Sequence, residues 1–176
     1  MNFAKLVPAA VLVVGMFQSA GASASLSVTS SAFDYSQSFD SLAITGAANT
    51  WANDSTLAGW SLFNSTSAAI TAYAGGDGSS NTGSFYSFGT VGSNERALGG
   101  TGSGSAYFGS PVSGALAGWI AVAFTNNSGA ALSGFTLGFD GEQWRNGGNT
   151  NAQSMVLQYG FGNSFASVGN WTPASM

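Results

Sequence analysis

The chain has 176 residues and a formal net charge of −4, and only 6% of its residues are charged, against about a quarter in ordinary domains. It contains no cysteine and no histidine, which excludes a disulfide framework, thiol nucleophiles and the Ser-His-Asp arrangement, and all but excludes zinc. Three Lys and Arg residues form no basic patch able to track a phosphate backbone or anionic lipid, so nucleic acid is not an expected partner. Aromatic residues make up 13% of the chain and are spread along it, which favours a folded domain over disorder.

The N-terminus reads as a secretory signal. Lys5 supplies its positive charge, residues 6–17 are apolar, and Ala22-Ser23-Ala24 satisfies the small-x-small rule, which places the cut after Ala24. The apolar stretch is too short to span a bilayer, which takes about 20 residues. The expected organisation is therefore a signal peptide over 1–24 and one domain over 25–176, with no membrane span in the mature chain. The expected location is outside the cell or on its surface. Cleavage removes Lys5 and leaves Arg96 and Arg145 against seven acids.

Beyond the signal, the apolar period is two rather than 3.6. Aromatic residues recur at Phe33, Tyr35 and Phe39. Short strand-like runs follow at 60–63, 70–73, 84–88 and 106–108. Ile120, Val122 and Phe124 alternate with smaller neighbours, as do Phe135, Leu137 and Phe139, and then Met155, Leu157, Tyr159 and Phe161. Turn-forming runs stand between them at 75–78, 99–102, 126–129 and 146–149. Residues 119–139 read as a hairpin around Asn126-Asn-Ser-Gly129. Many short strands with glycine-rich turns and no helical segment predict an all-β fold, an antiparallel β-sandwich or jelly roll. Residues 25–176 either complete it with a last strand near 166–171 or leave it C-terminally incomplete, with an open edge near 155–161.

Two segments concentrate what charge there is: Gly92-Ser-Asn-Glu-Arg-Ala-Leu-Gly-Gly100 and Phe139-Asp-Gly-Glu-Gln-Trp-Arg-Asn-Gly-Gly148. Glu95 and Arg96 are adjacent and would face opposite ways on a strand, and Glu142 and Arg145 also differ in parity. The expectation is a structural cross-pairing, Arg96 with Glu142 or Glu95 with Arg145. An arginine gripping a carboxylate or sulfate of a ligand is the competing reading. Asp140 and Glu142 share a strand face, a spacing that glycoside hydrolysis tolerates; Trp144 has the same parity and could floor a sugar site. Such acid-x-acid pairs are common, so a non-catalytic role is favoured. Asp77, Ser79 and Asn81 alternate through Gly76-Asp-Gly-Ser-Ser-Asn81 and offer oxygens to calcium, the one cofactor the sequence suggests; a site using Asp34 or Asp40 with backbone carbonyls is an equal alternative, and a glycine turn is the plain one. The five tryptophans are expected mainly in the core.

An ordered series of motifs carries a family resemblance. It runs from Tyr35-Ser-Gln-Ser-Phe-Asp-Ser-Leu42 through Trp51, Leu57-Ala-Gly-Trp60, Tyr73 and Gly76-Asp-Gly78. It continues with Thr82-Gly-Ser-Phe-Tyr-Ser-Phe-Gly89, Ser93-Asn-Glu-Arg-Ala-Leu-Gly99, Asn126-Asn-Ser-Gly129, Gly141-Glu-Gln-Trp-Arg-Asn-Gly-Gly148 and Leu157-Gln-Tyr159. The series resembles the secreted β-rich domain of bacterial PEP-CTERM sorting proteins. A similar domain precedes lamin-tail and extracellular endonuclease modules. The resemblance spans about residues 33–172 and supplies no catalytic residues. It implies an exported, non-catalytic domain of the envelope or extracellular matrix, associated with exopolysaccharide or other envelope components. The alternative it leaves open is a carbohydrate-binding or accessory module N-terminal to an extracellular enzyme such as a nuclease.

Overall fold

The computed structural model describes residues 10–16 (as backbone), 25–102, 118–148 and 155–174. Over these residues the chain is all-β, with one 3₁₀ turn at Phe165–Ser167. The strands are β1 (Ala10–Met16), β2 (Leu26–Val28), β3 (Asn49–Thr50), β4 (Trp60–Asn64) and β5 (Ala72–Gly76). They continue with β6 (Ser84–Phe88), β7 (Ala97–Thr101), β8 (Gly118–Asn126), β9 (Val156–Phe161) and β10 (Thr172–Pro173). Aromatic and β-branched residues fill β4, β6 and β8, as strand propensity favours.

The larger sheet has the order β10-β9-β1-β8-β2, with β4 also on β8. Strand β4 runs antiparallel to β8, with Leu62 opposite Ile120. Strand β2 continues the same edge, with Leu26 opposite Phe124. The other edge of β8 belongs to β1, which lies parallel to both β8 and β9. The smaller sheet has the order β3-β5-β6-β7, and its β5–β6 pair is parallel. Pairing is therefore mixed, where the sequence suggested antiparallel strands throughout.

The main core draws Trp60, Leu62, Ile120 and Val122 from the larger sheet, and Tyr73 and Phe85 from the smaller one, together with Trp51. Both core indoles find polar partners, as buried tryptophans require: Trp60 Nε1 donates to the Tyr35 hydroxyl at 2.8 Å and Trp51 Nε1 to Asn53 Oδ1 at 2.7 Å. A second cluster packs Trp119, Phe165 and Trp171 with Phe63 around Ala121. Its tightest contact is the stack of Phe63 on Phe165, with ring centroids 3.9 Å apart.

Several local expectations change. Residues 33–39 keep the predicted alternation, with Phe33, Tyr35, Gln37 and Phe39 half-buried between exposed neighbours, but they join no ladder. Gly99 and Gly100 form part of β7 rather than a turn. A Cβ on Gly99 would sit 3.1 Å from the Phe88 ring, so this glycine serves close approach between strands. The predicted hairpin over 119–139 is not formed: β8 is a strand, whereas 127–147 carries no ladder. The reason is positional, because both edges of β8 are occupied, one by β4 and β2 and the other by β1. Strand β9 pairs with β1 from Val156 to Phe161 and with β10 at Gln158 and Tyr159, so the second edge, expected open near 155–161, is covered only in part. A 3₁₀ turn and β10 stand where a last strand over 166–171 was expected. The run at 106–108 lies outside the described residues. Residues 10–16, read above as the apolar part of a leader, here take up strand form.

Candidate functional site

Arg96 opens β7's approach and points inward. Its side chain is almost wholly buried, at 2% exposure. Nε donates to Ser87 Oγ at 2.8 Å, and Nη2 donates to Gly76 O at 3.0 Å and to the Ser87 carbonyl. Its backbone N–H donates to Asp40 Oδ1 at 3.0 Å. Gly76 O also accepts from the Gly89 N–H at 3.1 Å. The arginine thus ties the end of β5 to β6 and to residue 40. Gly89 leaves the room this needs, since a Cβ there would collide with the Arg96 guanidinium and the Glu95 carbonyl. Burial pulls the guanidinium below its ordinary pKa, and the charge of Glu95 partly opposes that shift.

Arg145 performs a similar service on the next loop. Its Nη1 donates to Gly78 O at 3.1 Å and Ser79 O at 2.7 Å. Gly78 has φ +83°, and a Cβ on it would run into the Trp144 carbonyl, so only glycine lets the 76–79 turn and the 144–145 segment meet. The expected cross-pairing of Arg96 with Glu142, or of Glu95 with Arg145, is therefore corrected. Each guanidinium is held by carbonyl or hydroxyl oxygens, and Glu142 Oε2 instead accepts the Trp144 indole N–H at 2.6 Å. Strand parity favours such pairs, but glycine turns give an arginine closer acceptors than a distant carboxylate does.

The same bonds bear on the calcium reading. Asp77 Oδ1 accepts from the Ser79 N–H at 3.0 Å and the Ser79 hydroxyl at 2.6 Å, which lowers the Asp77 pKa. The carbonyls of Gly78 and Ser79 face Arg145. A cation would have to displace a guanidinium from its own ligands. Among the described residues no cluster of three or more acidic ligands forms.

Asp140, Glu142 and Trp144 line one cleft of about 490 Å³ together with Tyr35, Phe39 and Asp40. Glu95 also lines it, and Trp60, Ile120 and Val122 lie at its base. Trp144 is half-buried and stacks on Phe88 at 6.3 Å with planes 4° apart; Phe88 in turn stacks on Tyr86 at 5.0 Å. This aromatic column fixes the indole plane, and the bond to Glu142 fixes its edge. Of the tryptophans, Trp51 and Trp60 lie in the main core and Trp119 and Trp171 in the second cluster, which leaves Trp144 at the cleft. The sequence placed Tyr35, Phe39, Asp40 and Ser87 within the motif series and offered Asp40 to calcium, but assigned none of them to this cleft or to Arg96. A signal existed for Ser87: a lone hydroxyl between aromatic residues of a buried strand needs a donor, and a nearby arginine is the obvious one.

No protein-family model matches the chain, no curated protein is significantly similar to it, and no solved structure matches it. Among the described residues no helix is long and apolar enough to cross a membrane.

Proposed function

We propose that residues 25–176 form an exported, non-catalytic β-sandwich domain of jelly-roll type, working in a bacterial envelope or extracellular matrix. Its ligand is extracellular polysaccharide, bound in the cleft that Trp144 floors. The observation that carries this reading is that Trp144, Asp140, Glu142, Phe39 and Asp40 line one cleft of about 490 Å³. An indole held flat by an aromatic column offers a face to the C–H surface of a sugar ring, and carboxylates accept from its hydroxyls. The leader-like N-terminus and the resemblance to PEP-CTERM-associated domains support the location. The same cleft suits the accessory-module reading, in which the domain would hold a polysaccharide for an enzyme.

The test is retention of the exported protein on purified extracellular polysaccharides, with Trp144→Ala and Glu142→Gln beside it. Binding is expected to fall at least about tenfold in Trp144→Ala, as stacking on an aromatic anchor commands, and less in Glu142→Gln. Binding that is absent, or indifferent to Trp144→Ala, would sink the glycan reading. Glycan hydrolysis lost in Asp140→Asn would replace it with an enzymatic one.

A further inference from the structure

We propose that β1 is a placeholder strand: removing the leader lets residues 132–139 fold onto the edge of β8 that β1 occupies, which completes the cleft. The inference rests on reading residues 1–24 as a removed leader and the cleft as a binding site.

Four observations converge on residues 132–139. They alternate as a half-buried strand should, through Phe135, Leu137 and Phe139, yet they join no ladder. Phe135 and Phe139 are 48% and 45% exposed, a poor disposition for two aromatic rings so close in sequence. The segment is also loosely seated. The 490 Å³ cleft opens on one stretch of it and a second cavity of about 660 Å³ on another, and Leu137 and Phe124 line both. Both are open to solvent, so most of the segment borders water rather than packed side chains. Finally, the turn that would deliver the segment to β8 is already made. Asn126 Oδ1 accepts from the Ser128 N–H at 3.1 Å, Asn126 Nδ2 donates to Ala130 O at 2.8 Å, and Gly129 has φ +74°.

Only one edge of β8 can receive the segment. Strands β4 and β2 cover the other from Gly118 to Asn126. Ser25, the first residue after the proposed cut, is already tied to Thr125 by its hydroxyl, so cleavage leaves β2 in place. Loss of β1 would open one edge of β8 from Gly118 to Phe124 and leave the N–H and C=O of every second residue there without a partner. Most of these residues are buried, and buried backbone groups need partners. The segment just past the turn is the nearest supply. Zipping it down draws Phe135 and Phe139 toward the sheet, and the chain that follows carries Asp140, Glu142 and Trp144 with it.

The experiment compares amide exchange over 132–139 in the uncut chain, made in the cytoplasm, with that in the exported protein, whose first residue is read by intact mass. We expect the exported protein to begin at Ser25 and to exchange these amides about 100-fold more slowly than the uncut chain, as ladder formation requires. Thr136→Pro, which cannot donate to the ladder, should abolish that protection in the exported form. An exported mass beginning at Met1 would overturn the proposal through its leader premise. Equally fast exchange in both forms, with a start at Ser25, would overturn the hairpin itself. So would binding of an added peptide with the sequence of residues 10–16 while 132–139 stays unprotected, because the slot would then belong to a donated strand. Protection without glycan binding would support the hairpin and overturn only the function assigned to the cleft.

Discussion

Ser87 offers the Arg96 guanidinium two acceptors, and both residues are buried, at 0% and 2% exposure. Ser87→Ala should therefore cost about 1–3 kcal/mol, the penalty of leaving a buried donor unmet. Arg96→Lys should cost at least as much, because a point charge cannot span Ser87 and Gly76 as a planar fork does. Urea unfolding reads both as a lower midpoint at unchanged slope. Unchanged midpoints would mean that the arginine's bonds are made with water in solution. At Asp77 the expectation is opposite in kind: millimolar calcium should leave the melting temperature where it was, since Arg145 already holds the turn's carbonyls. A calcium-dependent rise would restore the metal reading.

Among elements, β9, the 3₁₀ turn and β10 hold the far side of the larger sheet against β8 by side chains as well as by β1. Trp171 lies 5.8 Å from Trp119 and 5.4 Å from Phe165 between ring centroids. Gly160 fits under it with no room for a Cβ, which would meet Val168 and the Trp171 ring. Trp171→Ala should destabilise by about 2–3 kcal/mol, less than a fully buried aromatic loses because this indole is half-exposed. The loss should be larger in the exported form than in the uncut chain, where β1 also bridges β8 and β9; thermal melts of the two forms check this. Period-two alternation located β4, β6, β8 and β9 well, because residues such as Leu62, Phe85 and Ile120 answer to burial on a sheet face. The same alternation misled at 33–39 and 135–139. Side-chain pattern reports which face is covered but is blind to whether a neighbouring strand offers hydrogen bonds. Glycines misled in the same way, since Gly99 and Gly100 look like a turn until Phe88 is placed above them.

For the whole molecule, the charge distribution sets what the cleft can accept. Among the described residues, Asp40, Glu95, Asp140 and Glu142 line it, and the one cation in its lining, Arg96, is 2% exposed. Polyanionic polysaccharides should be repelled, and neutral ones should bind with little dependence on salt. Affinity measured from low to high ionic strength tests this; a steep fall for neutral polymers would contradict it. The site was legible in the sequence as a set of residues, Asp140, Glu142 and Trp144, but not as a place. Residues 35–40 line it as well, and no local pattern announces that meeting.

The position of β1 also sets up a race. A leader that pairs with β8 and β9 could lock the precursor into a folded form too bulky to be threaded across a membrane. The pairings themselves guard against this. Leu12 meets Ile120 and Leu157, so its sheet can assemble only after nearly the whole chain has been made and has looped back. Contacts between such remote positions form slowly. The N-terminus is therefore free from the first moments of synthesis, while its place in the sheet comes last. If residues 1–24 are an export leader, as proposed, this topology would give export a head start over folding.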